Sequence, residues 1–599
     1  MVVFSLALVT GVFAQERTVS GQITSSDDGS PLPGVTVVLK GTTSGTITDT
    51  DGNFRLSVPE DGGTLVFSFI GFATQEVEIG DRTVFNVPMS TDVTELSEVV
   101  VTALNIPREK KTLGYATQEV NQENLRVARE TNLNNAMAGK ISGVQVISGS
   151  GAKFGEAGIR IRGVRGLSGG GPLYILDGIV VADAAAINMD NVESINVLKG
   201  ASAAALYGNR ARDGVVVVTS KKSAKGQVSV DFNNSTTFEK VYVLPEYQNE
   251  YGGGYSQDWD TFAYDPSIDA PALAGLDGAR IPYFGADESW GPKLDGVQVA
   301  QWDAFTPGTA GYGQTRAWNA NPDNVRNFFE TGANINNNLS IGSATDDYNI
   351  RASVTDVRRG GVLPGTDQSK TFLNLNGDVK MSKKFTMNAA LNYNRTNTTG
   401  QLDEGYGSIA SNFSQWWQRQ LDMDLLEQYY QMPDGRYTSW NMRSARNPRP
   451  LYWDNPYTWQ YANTAFSKQE NIYAKFGLVY EIVEGLKLNG NVYRGSRTGF
   501  SESQTGSGTL SLDGYGTSSY QNTEDNFEAI LTYNKHINEN FSVSALAGGN
   551  IRKNENYNWG VSTNGGLSVP DLYNVKASID RPGASNSKSF KQVNSLFAQ

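Results

Sequence analysis

The chain has 599 residues, too many for one ordinary domain, and its net charge of -12 makes it a poor binder of nucleic acid. It has no cysteine and one histidine, His536. Thiol catalysis, disulfide scaffolds, zinc–thiolate centres and multi-histidine metal sites are therefore excluded, and any Ser-His-Asp triad would rest on that single imidazole. At 39% hydrophobic and 10% aromatic the sequence reads as folded, and no catalytic residue, cofactor or metal is expected.

In chain order, Val2 to Ala14 is an apolar run shorter than the roughly 20 residues of a spanning helix. With small residues at Val12 and Ala14 it reads as a secretory signal over residues 1–14. Residues 15–90 carry short β-type runs between Gly, Asp and Pro turns, which predicts a small β-sandwich. Asp51-Gly52 is expected to form a hairpin turn. An EF-hand in this stretch fails because Phe54 stands where the loop needs glycine. The runs V-S-G-Q-I, P-L-P-G-V-T-V, K-G-T-T-S-G-T-I-T-D and D-G-N-F resemble the carboxypeptidase-D regulatory-like domain, a non-catalytic module.

Residues 91–109 form a polar linker with one apolar patch around Val99, Val100 and Val101. Consecutive valines favour an extended strand, and a strand between domains is suited to adding onto another protein's sheet edge. Residues 110–222 are mixed α/β. A short helix is expected over 132–140, strands at GVQVIS and GIRIR, a strand pair turning at Asp177-Gly178, and a strand–helix–strand from VESINVLKG to GVVVVTSKK. Gly149, Gly151 and Gly155 only loosely echo a dinucleotide fingerprint, since they do not lead from a strand into a helix.

The ordered motifs L-S-E-V-V-V-T-A, I-R-I-R-G, G-P-L-Y-I-L-D-G and V-E-S-I-N-V-L-K-G-A-S-A-A-A-L-Y-G-N-R-A-R-D-G-V-V-V-V-T closely resemble the SusC/RagA-type TonB-dependent outer-membrane transporters. The resemblance covers residues 16–222. It implies a TonB box at Glu98, Val99, Val100, Val101, Thr102 and Ala103, and a plug domain over 110–222. The plug motif would comprise Arg160, Arg162, Gly163, Asp177, Gly178, Lys199, Gly200, Tyr207 and Gly208. It implies as partners TonB with an ExbB/ExbD-type energising complex, a SusD-like surface lipoprotein as lid, and outer-membrane lipid. Arg160, Arg162 and Arg165 are candidates to face the barrel wall and pair with its acids.

Residues 223–599 alternate apolar and polar side chains in runs of about ten, the pattern of a transmembrane barrel strand. Ten strands are expected, near 227–238, 333–342, 347–357, 370–381, 384–397, 470–483, 485–500, 523–535, 539–553 and 588–599. Short connections near 343–346, 382–383, 484 and 536–538 alternate with long ones at 239–332, 358–369, 398–469, 501–522 and 554–587. Barrels of this kind have short periplasmic turns and long outer loops. The fold class is therefore mainly β: a β-sandwich, an α/β plug and part of an antiparallel barrel, about 10 of the 22 strands that the resemblance implies. The chain stops inside an alternating run, so it reads as an N-terminal fragment whose two edge strands stay unpaired.

All ten tryptophans fall in the segments assigned to long loops, where packing in a loop core or contact with a lid protein is one reading; in the other, Trp416, Trp417, Trp440 and Trp453 are candidate substrate contacts, since aromatic faces stack on sugar rings. The expected function is TonB-dependent import of a glycan oligomer across the Gram-negative outer membrane, with the N-terminal domain and TonB box periplasmic. Import of an oligopeptide, as in RagA-type transporters, is the second reading. A siderophore receptor, a signalling receptor and a secreted carbohydrate-binding β-protein are further alternatives.

Overall fold

The computed structural model describes residues 16–598 except 27, 43, 61, 70–71, 91–98, 102–106, 110–115, 122–129, 131, 148–153, 155–156, 164–169, 200–207, 227, 401–408 and 539–540. The signal segment, the three glycines at 149, 151 and 155, Arg165 and the apolar run 201–207 lie outside those residues. Two compact units separate, one reaching to Val99 and the other containing Leu113–Gln599.

The first unit contains the expected β-sandwich. Strand Glu16–Ser25 lies between Asn53–Pro59 and Val87–Met89, and the second sheet runs Gly45–Ile47, Thr36–Leu39, Thr64–Ser68, Gln75–Glu78. Phe54, Leu56 and Val58 alternate inward along one strand to meet Val19, Ile23, Val37, Leu65 and Phe67 in the core. The turn at Asp51-Gly52 is real, with Gly52 at φ 74°. It is not a hairpin, because the strands it joins, Gly45–Ile47 and Asn53–Pro59, lie in different sheets. The Asp49 carboxylate closes it, accepting from the Asp51 and Asn53 amides at 3.0 and 2.8 Å.

In the second unit, the plug is built on a five-stranded sheet ordered Ala116–Asn121, Val192–Lys199, Val215–Ser220, Leu173–Leu176, Ile179–Val181. Val215 to Val218 are all buried because side chains pack on both faces of the sheet, which is why this strand reads as an unbroken apolar run. The hairpin of Val144–Ile147 with Gly158–Ile161 flanks it. The helix expected over 132–140 is confined to Leu133–Ala136, where the Asn132 side chain caps it by accepting from the Asn134 and Asn135 amides.

The rest of the chain forms one antiparallel sheet in which each strand pairs only with its sequence neighbours. Its ten strands are β1 (Ser229–Glu239), β2 (Gly332–Ala344), β3 (Tyr348–Gly360), β4 (Asp367–Ser382), β5 (Phe385–Thr399), β6 (Thr464–Val483), β7 (Leu486–Thr505), β8 (Gly514–Asn538), β9 (Phe541–Ser562) and β10 (Gly583–Ala598). β1 and β10 are its two edges and do not pair with each other. At one end the connections are 345–347, 383–384, 484–485 and 539–540, and at the other 240–331, 361–366, 400–463, 506–513 and 563–582. The alternation read from the sequence is present, but three expected long loops, 358–369, 501–522 and 554–587, shrink to 361–366, 506–513 and 563–582. Strands β3, β4, β7 and β8 run further than their apolar pattern, because beyond a lipid band nothing requires apolar side chains. For the same reason Trp559, expected in a loop, stands within β9.

The orientation of the sheet faces separates a barrel wall from a soluble sandwich. Leu339, Ile341 and Leu375 are 47%, 51% and 48% exposed, and Leu373, Leu391, Ile472 and Phe476 point outward with them. The intervening Asn338 and Thr355 are 1% exposed and face the plug side. A soluble sandwich would bury the first set. An outward apolar band over a polar interior is what a bilayer selects. Leu375→Arg in the full-length protein is therefore expected to cost about 2–4 kcal/mol of stability in lipid bilayers. A denaturant titration in liposomes measures this, and an unchanged midpoint would show that Leu375 does not face lipid.

Candidate functional site

The plug motif has a definite geometry. Asp177 and Gly178 take left-handed φ angles of 50° and 89° and form the two-residue turn between Leu173–Leu176 and Ile179–Val181. The Asp177 amide donates to Val218 O at 3.1 Å. Its carboxylate accepts from the Ser220 amide at 2.9 Å and from the Ser220 hydroxyl. Burial pushes this carboxyl above the usual range, against the opposing pull of the Ser220 hydrogen bonds and the charges of Lys475 and Lys222. Lys199 is buried and donates to Gln118 Oε1 at 3.0 Å, joining the two strands at that edge of the sheet. Arg160 and Arg162 are exposed beside Gly163, and Arg162 holds φ 57° while its amide donates to Gly143 O. Among the described residues neither arginine pairs with an acid of the wall. That pairing is made instead by Arg210, which Gly208 introduces at the start of a short turn: its guanidinium grips Glu524 of β8 at 2.8 and 3.2 Å. Gly200 and Tyr207 lie outside the described residues.

Amides dominate the rest of the plug–wall contact. Asn188 Nδ2 donates to Thr355 Oγ1 and Asn374 Oδ1 at 2.9 and 3.0 Å, and Asn191 Nδ2 donates to Ser353 Oγ and Asn374 Oδ1 at 2.5 and 2.7 Å. From the wall, Asn376 donates to Ser220 Oγ at 3.0 Å and Asn394 to Ala186 O at 3.1 Å. The Tyr473 hydroxyl accepts from the Ala182 amide at 3.2 Å, and its ring joins Tyr493 in closing over the plug's apolar core. Along the wall the asparagines also bond to each other, Asn374 to Asn392 at 2.6 Å and Asn471 to Asn394 at 2.7 Å. The plug is therefore seated by side chains that exchange readily for water.

Val99–Val101 of the linker forms a strand, as its valines predict, but it is paired with Pro107–Glu109 and is not free. Three β-branched residues next to a short connection satisfy their backbone locally when no other edge is offered. Glu98, Thr102 and Ala103 lie outside the described residues.

The two longest loops, 240–331 and 400–463, fold together into a cap with its own aromatic core. Trp417 and Trp440 are 5% and 2% exposed and meet edge to face at 5.4 Å, so neither offers a face to a ligand. Arg419 ties the loops. Its guanidinium donates to Asn249 Oδ1 at 3.1 and 3.0 Å, to Asn324 Oδ1 at 2.6 Å and to Pro322 O at 2.7 Å, and lies 4.6 Å from the Tyr247 ring centre. Trp416 and Trp453, by contrast, line an open cleft of about 550 Å³ together with Tyr255, Asp287, Glu288, Tyr452, Asp454 and Trp459. Neither the carboxylates nor Trp459 is marked as a site residue by the sequence. They come from segments more than a hundred residues apart, and nothing in their local spacing joins them.

Residues 19–101 match the CarboxypepD_reg-like domain, and residues 109–215 match the TonB-dependent Receptor Plug Domain. A plug seated on the polar face of a sheet whose outer face is apolar, with these matches, defines the class as a TonB-dependent receptor. The chain is 28% identical over 572 residues to TonB-dependent receptor P3 of Formosa agariphila, covering 93% of this chain and 50% of that protein. It is 38% identical over 252 residues to TonB-dependent receptor SusC of Bacteroides thetaiotaomicron, covering 40% of this chain and 25% of that protein. The RagAB peptide importer in its 'open-open' state shares the fold, with a TM-score of 0.63, 19% identity, and 84% of this chain and 54% of that chain covered. These likenesses, with the ordered motifs of residues 16–222, support a receptor of the SusC/RagA type. It spans at most about half the length of the curated relatives it matches.

Arg419→Met would leave Asn324 Oδ1 and Pro322 O without their donor, and is expected to weaken the loop cap by roughly 2 kcal/mol. Hydrogen exchange across 409–428 should accelerate accordingly, while exchange in the plug sheet stays unchanged.

Proposed function

We propose that the protein containing this chain imports a nutrient oligomer across the outer membrane, with the plug as its gate and TonB as the source of work. The observation that carries this reading is the pair of opposed faces on one sheet: an apolar face suited to lipid and a polar face on which a separate small domain sits. A plug held by many amide contacts exchanges most of its seat for water when it is displaced, and only Tyr473 and Tyr493 of the wall must leave its apolar core. The strand at Val99–Val101, with Glu98, Thr102 and Ala103 beside it, is the TonB box in this reading. Its partner strand Pro107–Glu109 is then exchanged for a strand of TonB by β-addition. The N-terminal sandwich and the box face the periplasm, and the loop cap faces outward beneath a SusD-like lipoprotein. A glycan oligomer is the leading substrate, supported by the likeness to SusC and by the tryptophan-lined cleft, and an oligopeptide is second, supported by the likeness to a peptide importer.

In the full-length receptor, deleting residues 98–103 is expected to abolish energised uptake and to leave surface binding of substrate intact. Normal uptake by that deletion would defeat the assignment. Orientation is tested separately with single cysteines at Trp290, exposed in the cap, and at Lys383, in a short turn. An impermeant thiol reagent should label the first and spare the second on intact cells, and the reverse pattern would invert the topology and remove the transport reading.

A further inference from the structure

The cleft between the two long loops differs from the rest of the cap in charge. Two buried acids elsewhere in these loops are neutralised: Asp269 pairs with Arg446 at 2.8 Å and Asp303 with Arg316 at 3.2 Å. Asp287, Glu288 and Asp454 line the cleft, and among the described residues no lysine, arginine or histidine lines it with them. What holds these carboxylates is neutral. Trp453 Nε1 donates to Asp287 Oδ2 at 2.8 Å, and the Leu510 amide donates to the two oxygens of Asp454 at 3.2 and 3.0 Å. Glu288 is half-buried, and its carboxyl lies against that of Asp287, whose charge joins burial in opposing its ionisation. Partly buried carboxylates without a counter-charge are costly, and a cation placed among them removes that cost.

The geometry also bears on which cation. Among the described residues no group of three His, Cys, Asp or Glu side chains is arranged to hold a metal ion. The carboxylates are instead set among Tyr255, Trp416, Trp453 and Trp459. Aromatic faces attract ammonium groups through the ring quadrupole, and carboxylates take up their N–H donors. A cleft of about 550 Å³ accommodates a sugar ring or an amino-acid side chain with its neighbours.

We propose that this cleft binds a primary ammonium group carried on the imported oligomer, with Asp287 and Glu288 as its counter-ions and Trp416 and Trp453 as its aromatic wall. The inference rests on the import reading above and narrows its substrate class. Burial pushes the carboxyls of Glu288 and Asp454 up, that of Asp454 to about 6, and a seated cation draws both back down. An amino sugar and a lysine-bearing peptide present the same ammonium chemistry.

The test titrates the full-length receptor in detergent, by calorimetry, with two matched pairs. One is glucosamine trimer against its fully N-acetylated form. The other is trilysine against trilysine acetylated on every amine. At least one free amine is expected to bind tenfold or more tightly than its acetylated counterpart, and the pair that does so identifies the source as sugar or peptide. Equal affinity within both pairs, or binding of neither amine, overturns the assignment without reference to any variant. Glu288→Gln is expected to reduce the amine preference at least tenfold, and an unaltered preference would remove Glu288 from the site. Because this binding needs no energy source, its failure is distinct from failure of the import reading, which the deletion of residues 98–103 tests.

Discussion

A bilayer offers no partner to a backbone amide or carbonyl, and this constraint orders most of the chain. It requires β1 to β10 to satisfy one another through an unbroken ladder, and it fixes which side chains face which way. Because a strand alternates every residue, an apolar band on one side commits the positions between to the other. Those positions carry asparagine, serine and threonine here, and the plug meets that surface and not an oily one. The wall's chemistry thus decides the character of the plug's seat before any specific contact is considered.

On that seat the few charges stand out. Arg210 with Glu524 is a two-point clamp between plug and wall, and Lys222 reaches Asp378 at 2.9 Å. The Asp177–Ser220 turn is held internally and merely touched by the wall, with Lys475 Nζ 3.5 Å from Asp177 O. The motif residues therefore divide into those that shape the plug, Asp177, Gly178 and Lys199, and the turn at Gly208 that delivers a side chain to the wall.

What could be read in advance follows the same division. The lipid band was legible at Leu339, Leu373 and Ile472, because lipid imposes a period of two and interrupts it only at turns. All ten wall strands and three of the short turns between them are legible on that signal, whereas the turn expected at 536–538 lies within β8 and the chain reverses just after Asn538. The outer ends of β7, β8 and β9 were not, since strands that rise past the lipid carry polar side chains on both faces, and Trp559 was misplaced as a result. The helix after Asn132 was over-extended because a run of small and apolar residues does not reveal that the chain turns away at Met137. The tryptophans show a different limit. Trp416 and Trp417 are adjacent, yet one lines a cleft and the other is sealed in a core, and only the fold of two distant loops distinguishes them. The cleft's acids were invisible for the same reason, as Asp287 and Trp453 are joined by a hydrogen bond across 166 positions.

The order of strands in the plug sheet has a mechanical consequence. Ala116–Asn121, the first described strand after the linker, is an edge, bonded on one side only to Val192–Lys199. Tension entering from the linker meets that single ladder before any other part of the sheet. The four strands beyond it, with Val215 to Val218 at their centre, carry load only after the edge has peeled. The plug is thus graded in resistance along its own width, weakest where the chain enters and strongest where its core is deepest.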